Sequence, residues 1–495
     1  MQRRAPLAVG TAALAVLAAG VPAAHGAPAT ATATATATGT LASQDLATAG
    51  TGSPHYRIPA LTRTTEGTLL AAYDARPTLA DLPGNIGVVL RRSTDGGATW
   101  QAQQVVRKDG APQGYGDPSL LVDRETGRVF LFYSATVNRG FFGSATGNDE
   151  NDPDVQQTDY SYSDDDGATW KHERITAEIK DPVWAGMFAA SGEGIQLRHG
   201  THKGRLIQQY AVRRDGANYA VSVYSDDHGA TWRAGTPVGP GGDENKTVEL
   251  SDGRVMLNNR SAPYRTVAYS TDGGVTYTPF QQDTELPDPG NNGSVTRFAP
   301  DVAATHPRAS WLMFSNTATT GGRTHLTVRL SCDNGETWPM RRTVESGAAA
   351  YSTLTPLGDG TGANPGTGLL WERGGVDHIT YSSFDLRWLG GVCAPVTVTP
   401  PASLPAGRTT AVTVRVVSQN DVPLPAGKVS LDLPDGWSAP ETAVPALDPG
   451  QGANMKIPVT VPANATAGNV PATAAYEVRD SRHSYGDTAF TVTRP

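Results

Sequence analysis

The stretch Tyr56-Arg57-Ile58-Pro59-Ala60-Leu61 sets one arginine in an apolar run, ahead of every repeat in the chain. A guanidinium is a rigid planar fork that can take a carboxylate through two parallel hydrogen bonds. Arg57 is therefore a candidate grip for a planar anion. The alternative, a solvated surface charge, is the reading for Arg329, Arg341 and Arg342. Asp81, in Leu79-Ala-Asp81-Leu-Pro-Gly84, sits in a Pro/Gly turn after an apolar strand, which suits a mobile loop over a cleft. Asp74 competes for any proton-transfer role, and Asp81 can equally do no more than shape its turn. The 16 tyrosines supply phenols. A free phenol has a pKa of about 10, so it attacks only with a base beside it. The acidic run Asn148 to Asp154 lacks the spaced ligands of a calcium loop and reads as a solvated insertion. His199 and His202 have no third His or Cys near them and read as surface histidines. No metal and no other cofactor is expected.

The elements that must position these groups are announced by a repeat. Ser93 to Trp100 reads STDGGATW, and the pattern S-x-D-x-G-x-T-(W/Y) returns at Ser163, Ser225, Ser270 and Ser331, with starts 70, 62, 45 and 61 residues apart. Its Asp (Asp95, Asp165, Asp227, Asp272, Asp333) can accept from turn N–H groups, and the Gly two places on permits positive φ. The closing Trp or Tyr can tuck under the turn as an apolar plug. Alternating residues flank most copies, as in Tyr219 to Tyr224 and Arg323 to Leu330, which is strand periodicity. Each box is then a hairpin corner in a small antiparallel sheet, and sheets repeating at this period suggest a β-propeller. The boxes are scaffold rather than catalytic groups.

A chain of 495 residues has room for two or three domains, and its net charge of −8 without a basic stripe disfavours nucleic acid. Residues 1–26 have the form of an export signal: Arg3 and Arg4, an apolar run from Pro6 to Pro22, and Ala24-His25-Gly26 as a small-x-small cleavage site. Residues 27–39 are an Ala/Thr-rich linker. A secreted, extracellular protein with no membrane partner is expected. Cys332 and Cys393, the only cysteines, read as one disulfide in an exported protein, with two buried thiols as the alternative. The propeller region runs over residues 40–395. Past Pro400, Pro401 and Pro405 the boxes stop and short strands such as Thr410 to Val417 continue, so residues 396–495 are expected to form an immunoglobulin-like β-sandwich. That stretch is similar to accessory modules beside bacterial glycosidases, and a spacer role suits its lack of an aromatic cluster.

Tyr-Arg-Ile-Pro followed by five boxes resembles the bacterial secreted exo-α-sialidases, or neuraminidases, across the propeller region. The resemblance implies an all-β chain, a six-bladed propeller followed by the sandwich. It also implies a retaining hydrolase of terminal α-linked sialic acids on glycoproteins, glycolipids or oligosaccharides, working as a monomer. Arg57, Arg260 in Leu257-Asn-Asn-Arg260-Ser261, and Arg323 match the three arginines that hold the substrate carboxylate. Asp81 matches the general acid/base, Tyr351 the nucleophile and Glu244 its base. A neutral phenol suits this substrate, whose anomeric carbon bears its own carboxylate and repels an anionic nucleophile. Glu372 in Leu370-Trp-Glu372-Arg-Gly matches the carboxylate that orients Arg57, Asp117 the site beside the N-acetyl group, and Arg76 a ring-hydroxyl contact, with a solvated loop charge as the alternative for Arg76. Met187 and Phe188 are candidates for the acetyl pocket. A trans-sialidase, a hydrolase of another 2-keto acid sugar, and a sialic-acid lectin are the alternatives. Tyr351, Glu244 and Asp81 all being present weighs against the lectin.

Overall fold

Each box closes the turn from the third to the fourth strand of an antiparallel sheet. In the first copy, Ser93 Oγ donates to Asp95 Oδ1 (2.8 Å) and accepts from the Gly97 N–H (2.9 Å). Asp95 in turn takes the Thr99 N–H (2.9 Å) and hydroxyl (2.5 Å). The same bonds recur at Asp165, Asp227, Asp272 and Asp333. The Thr99 and Thr169 bonds hold the Asp95 and Asp165 carboxyls down to about 2. The turn needs two successive left-handed residues rather than one: Gly96, Asp166, His228, Gly273 and Asn334 precede the invariant Gly with φ between 60° and 71°. Asp, His and Asn are the non-glycine types that tolerate this region best.

A computed structural model of the chain describes residues 39–362, 365–390, 393–420, 423–478 and 481–494. The expected export signal and nearly all of the Ala/Thr linker lie outside the described residues. Six four-stranded blades form the propeller. Blade one is His55–Arg63, Leu69–Arg76, Gly87–Ser93 and Gln104–Arg107, and blade two Gly114–Val122, Val129–Thr136, Gln157–Ser163 and Lys171–Arg174. Blade three is Met187–Ala189, Leu206–Arg214, Ala217–Ser225 and Arg233–Ala234, and blade four Asn245–Glu249, Val255–Asn259, Tyr264–Ser270 and Gln281–Pro287. Blade five starts with Ser294–Arg297, Leu312–Thr317 and Thr324–Ser331. Its fourth strand is the first half of the long strand Met340–Pro356, whose second half becomes the inner strand of blade six. Gly366–Arg373 and His378–Asp385 follow, and the early strand Leu41–Thr48 closes blade six antiparallel to His378–Asp385.

Second strands are covered on both faces by neighbouring blades, so they read as largely apolar runs instead of alternating. Leu69–Arg76 and Val129–Thr136 are buried at every position. Between blades two and three, Trp232 packs edge-on to Phe130 and Phe132, its box plugging the gap. Burying a ring of that size contributes on the order of 2–3 kcal/mol.

After the propeller come two further sheets. One is Val396–Thr399, Thr409–Val417 and Gly452–Thr460; the other runs Leu404–Pro405, Ser481–Thr493, Gly468–Val478, Gly427–Asp432 and Thr442–Val444. Here alternation does show: Val412, Val414 and Val416 point inward toward Ile457, Val459, Tyr476 and Phe490. This is the sandwich. Cys332, in the fifth box, and Cys393 are joined as a disulfide with Cα atoms 6.1 Å apart. Among the described residues, no helix is long and apolar enough to cross a membrane.

Candidate active site

At one end of the propeller the inner strands begin with the residues singled out above. Three of these strands carry a β-bulge there. Pairing slips between Arg57 and Ala60 in blade one, between Gly116 and Ser119 in blade two, and between Ala349 and Ser352 in blade six. Inside the first two bulges Ile58 and Asp117 take left-handed backbone, each with φ of 62°. A bulge re-aims a side chain that regular pleating would send to a blade face. Arg57, Asp117 and Tyr351 all line one cavity of about 550 Å³.

Tyr351 is the floor of that cavity, 6 % exposed. Three guanidiniums gather over it: the Cζ atoms of Arg57, Arg323 and Arg260 lie 5.0, 5.5 and 6.0 Å from its ring centroid. Two of the three are held by carboxylates. Arg57 donates from Nε and Nη2 to Glu372 (3.0 and 3.1 Å), and Arg260 donates from Nη1 to Glu244 (2.6 Å) and to the Tyr351 hydroxyl (2.9 Å). Arg323 stands exposed at the rim, and no carboxylate of the described residues pairs with it. The site is thus a cationic bowl with one charge uncommitted, suited to an anionic ligand.

Glu372 is fully buried and does more than orient Arg57. Its carboxylate also accepts the backbone N–H of Ile58 (2.9 Å) and of Tyr351 (3.1 Å), so one anion staples both bulges. Glu244, from the turn into blade four, is buried beside Tyr351. The two share Arg260 Nη1 as a donor rather than bonding each other directly. Burial, and then the Glu244 charge, push the Tyr351 phenol well above its ordinary range, while Arg260, Arg57 and Arg323 pull the other way.

Asp74 and Asp81, rivals in the sequence, part company. Asp74 is wholly buried under the floor, receiving Arg76 Nε and Nη2 at 3.0 and 2.8 Å, and burial raises its carboxyl to about 6. Asp81 lines the cavity with its side chain 80 % exposed, reached by Arg76 Nη1 at 2.7 Å. Arg76 is consequently a buried strut between the two carboxylates, not a solvated loop charge. Asp117 faces the cavity, and burial followed by the Asp74 charge drives its carboxyl well above the usual range. Phe188 lines the cavity, whereas Met187, expected beside it, points the other way into the core between blades two and three. Adjacent strand residues face opposite sides, so only one of the pair can reach the cavity. The lip Asn138–Gly143, with Phe142 77 % exposed and Phe141 edge-on to Phe188 at 4.7 Å, has no sequence signal. His199 is not a free surface histidine: its Nε2 lies 2.8 Å from Arg297 Nη1.

Comparison with known proteins decides the family. Residues 67–362 match the model of the BNR repeat-like domain. A sialidase of Micromonospora viridifaciens is 50 % identical over 459 residues, which cover 91 % of this chain and 69 % of that protein. The chain belongs to the sialidase family. A second sialidase, from Bacteroides fragilis, is 32 % identical over 358 residues, spanning 68 % of this chain and 63 % of that one. Among solved structures, a Hadza microbial sialidase superposes with a TM-score of 0.61 at 32 % identity, over 67 % of this chain and 66 % of its own. The sialidases are glycoside hydrolases, and the cationic bowl with a buried tyrosine is where this one has the groups for such chemistry. Residues 404–479, in the sandwich, match the NPCBM-associated, NEW3 domain of alpha-galactosidase.

Proposed function

We propose that this sialidase removes terminal α-linked sialic acids from glycoproteins, glycolipids or oligosaccharides with retention, through a covalent tyrosyl-sialyl intermediate. The observation that carries the proposal is the convergence of Arg57, Arg260 and Arg323 on the Tyr351 ring. The three forks hold the substrate carboxylate, which brings the anomeric carbon that bears it over the phenol. Tyr351 Oη attacks that carbon as its proton passes to Glu244. Asp81 protonates the departing glycosidic oxygen, so neither leaving group nor nucleophile carries full charge in the transition state. In the second half, the Asp81 carboxylate takes a proton from water, the new hydroxide bonds to the anomeric carbon, and Tyr351 leaves, reclaiming its proton from Glu244.

The electrostatics support this order. In the free site the buried phenol stays neutral, held so by burial and by the Glu244 charge. An incoming carboxylate that takes up Arg260 competes with Glu244 for Nη1, which frees Glu244 to accept the phenolic proton. Asp81, on an exposed loop at the mouth, is placed to meet the leaving group rather than the ring carboxylate. Secretion is part of the proposal, on the strength of Arg3, Arg4 and the apolar run that follows them.

A 3-fluorosialyl fluoride tests it. The ring fluorine slows breakdown of the intermediate more than its formation, while the good leaving group keeps formation fast. The expected result is one added sugar on the tryptic peptide that contains Tyr351, absent in Tyr351→Phe. A label on Asp81 or Glu244, or an inverted first-formed sugar by proton NMR, overturns the mechanism.

A further inference from the structure

The inner strands that begin at the active site end in a second enclosure. Arg57 lies near the start of the inner strand of blade one and Thr62 and Arg63 end it, with five residue steps or about 17 Å from Arg57 to Thr62. Glu249, Arg297 and Thr355 similarly end the inner strands of blades four, five and six. Together with Arg124, Glu193 and Arg198 they enclose a cavity of about 80 Å³ at the far end of the central channel. It has no part in the chemistry proposed above.

The walls of this cavity hold more cations than their partners satisfy. Arg198 is matched by Asp301 at 2.6 Å. Glu249 spends one oxygen on the Arg198 N–H and the other on the His199 N–H, and Arg297 Nη1 approaches it only to 3.6 Å. Arg297 is 5 % exposed, yet its Nε and Nη2 have no hydrogen-bond partner among the described residues. Arg124 reaches only the Arg63 carbonyl, at 3.4 Å, and no carboxylate of the described residues pairs with Arg63 or Arg124. Glu193, the remaining acid, takes the Thr62 hydroxyl at 2.5 Å and the Thr355 hydroxyl at 3.4 Å. A buried guanidinium held by only one long ion pair is costly, and two idle N–H donors on Arg297 add to that cost.

We propose that this enclosure is a binding site for a small oxyanion of the sulfate or phosphate class, with Arg297 and Arg124 as its principal donors. An oxyanion supplies what the walls lack, negative charge for Arg63, Arg124 and Arg297. The volume admits an ion of that size and is far smaller than the 550 Å³ of the catalytic cavity. Burial pulls both Arg124 and Arg297 below their ordinary range and raises Glu193 to about 7, so the acid is mostly uncharged, and a weak competing anion, below neutral pH.

Sulfate is the probe, because its charge does not change between pH 5 and 8. The full chain is titrated with sodium sulfate at constant ionic strength, by calorimetry and by the shift in unfolding midpoint, with a carboxylate inhibitor saturating the active site. One sulfate per chain is expected. Arg297→Gln and Arg124→Gln should each weaken it at least roughly tenfold while leaving sialoside turnover intact, and Arg323→Ala should leave it unchanged. Arg124 has the fewer internal contacts, so its variant remains informative if Arg297→Gln does not fold. No saturable binding, equal binding by both glutamine variants, or loss of binding in Arg323→Ala overturns the proposal.

Discussion

Replacing Glu372 with glutamine is the most searching perturbation of the active site. The carboxylate has zero exposure and accepts four donors, two on each oxygen: Arg57 Nε and the Ile58 N–H on one, Arg57 Nη2 and the Tyr351 N–H on the other. An amide keeps one acceptor oxygen and turns an NH2 toward the other two donors, whichever way it is flipped. One charge-assisted bond, worth about 1.5–3 kcal/mol, and one backbone bond, worth about 1 kcal/mol, are lost outright. Arg57, 12 % exposed, also loses its counter-charge. Glu372→Gln should therefore lose roughly 3–5 kcal/mol of stability, the range found when one partner of a buried pair is removed. Because both bulges lose their staple, Arg57 and Tyr351 drift, and a displacement of about 1 Å at reacting groups costs on the order of a hundredfold in rate. Guanidinium unfolding measures the first quantity and kcat/KM on a fluorogenic sialoside the second. A variant that loses under about 1 kcal/mol and less than tenfold in kcat/KM would refute the stapling argument.

Other predictions concern the scaffold. A chain ending at Pro395 should keep turnover on a small soluble sialoside, since every residue lining the catalytic cavity precedes it. It should also unfold earlier, having lost the Tyr485 N–H bond to the Pro339 carbonyl and the Arg341–Asp487 pair; a folded chain without turnover would contradict this. Non-reducing peptide mapping should recover Cys332 and Cys393 as one linked peptide. Closing their 61-residue separation contributes roughly 4 kcal/mol in the loop-entropy model, an effect read as the stability difference on reduction. Glu193, near Arg124 and Arg198 and bonded by Thr62 and Thr355, has its carboxyl raised by burial to about 7. The folded chain then binds a proton that the unfolded chain has released, so Glu193 costs stability as pH rises from about 4.5 to 7. Glu193→Gln should flatten that fall by up to about 3 kcal/mol, measured as unfolding free energy at pH 5 and 8. Parallel pH profiles for the two proteins would remove Glu193 as its source.

The propeller and the sandwich were legible because both announce themselves locally. Ser93 to Trp100 and its four copies carry their own turn chemistry, and Val412, Val414 and Val416 alternate as a half-buried strand must. The residues about the cavity were legible through motif resemblance, not through pattern: nothing in the spacing of Arg57, Arg260 and Arg323 foretells that they meet over one ring. What escaped depends on contacts distant in sequence. The bulges at Ile58 and Asp117 are imposed by register with neighbouring strands and leave no compositional trace, since Ile is a poor choice for left-handed backbone. The shift of Met340–Pro356 from blade five to blade six is likewise silent, because both halves are simply strand. Arg76 looked solvated beside Asp74, Pro77 and Asp81 because burial is set by the blades above it. The far cavity is assembled from strand ends in several blades with no shared motif.

The strand Leu41–Thr48 bears on the order in which the molecule is completed. Ser43 and Ser382, hydroxyl partners across its pairing, are 339 positions apart. Holding such distant points together costs a flexible chain about 5 kcal/mol beyond the constant for any loop, a sum recovered only when the whole blade forms. The first of the described strands to be made must wait for almost the last of the propeller, a topology that slows folding. The blade it completes is the one that contains Tyr351 and Glu372. Catalytic competence therefore arrives with ring closure rather than with any single blade. Turnover of a sialoside can serve as a clock for the moment when the two ends of the propeller meet.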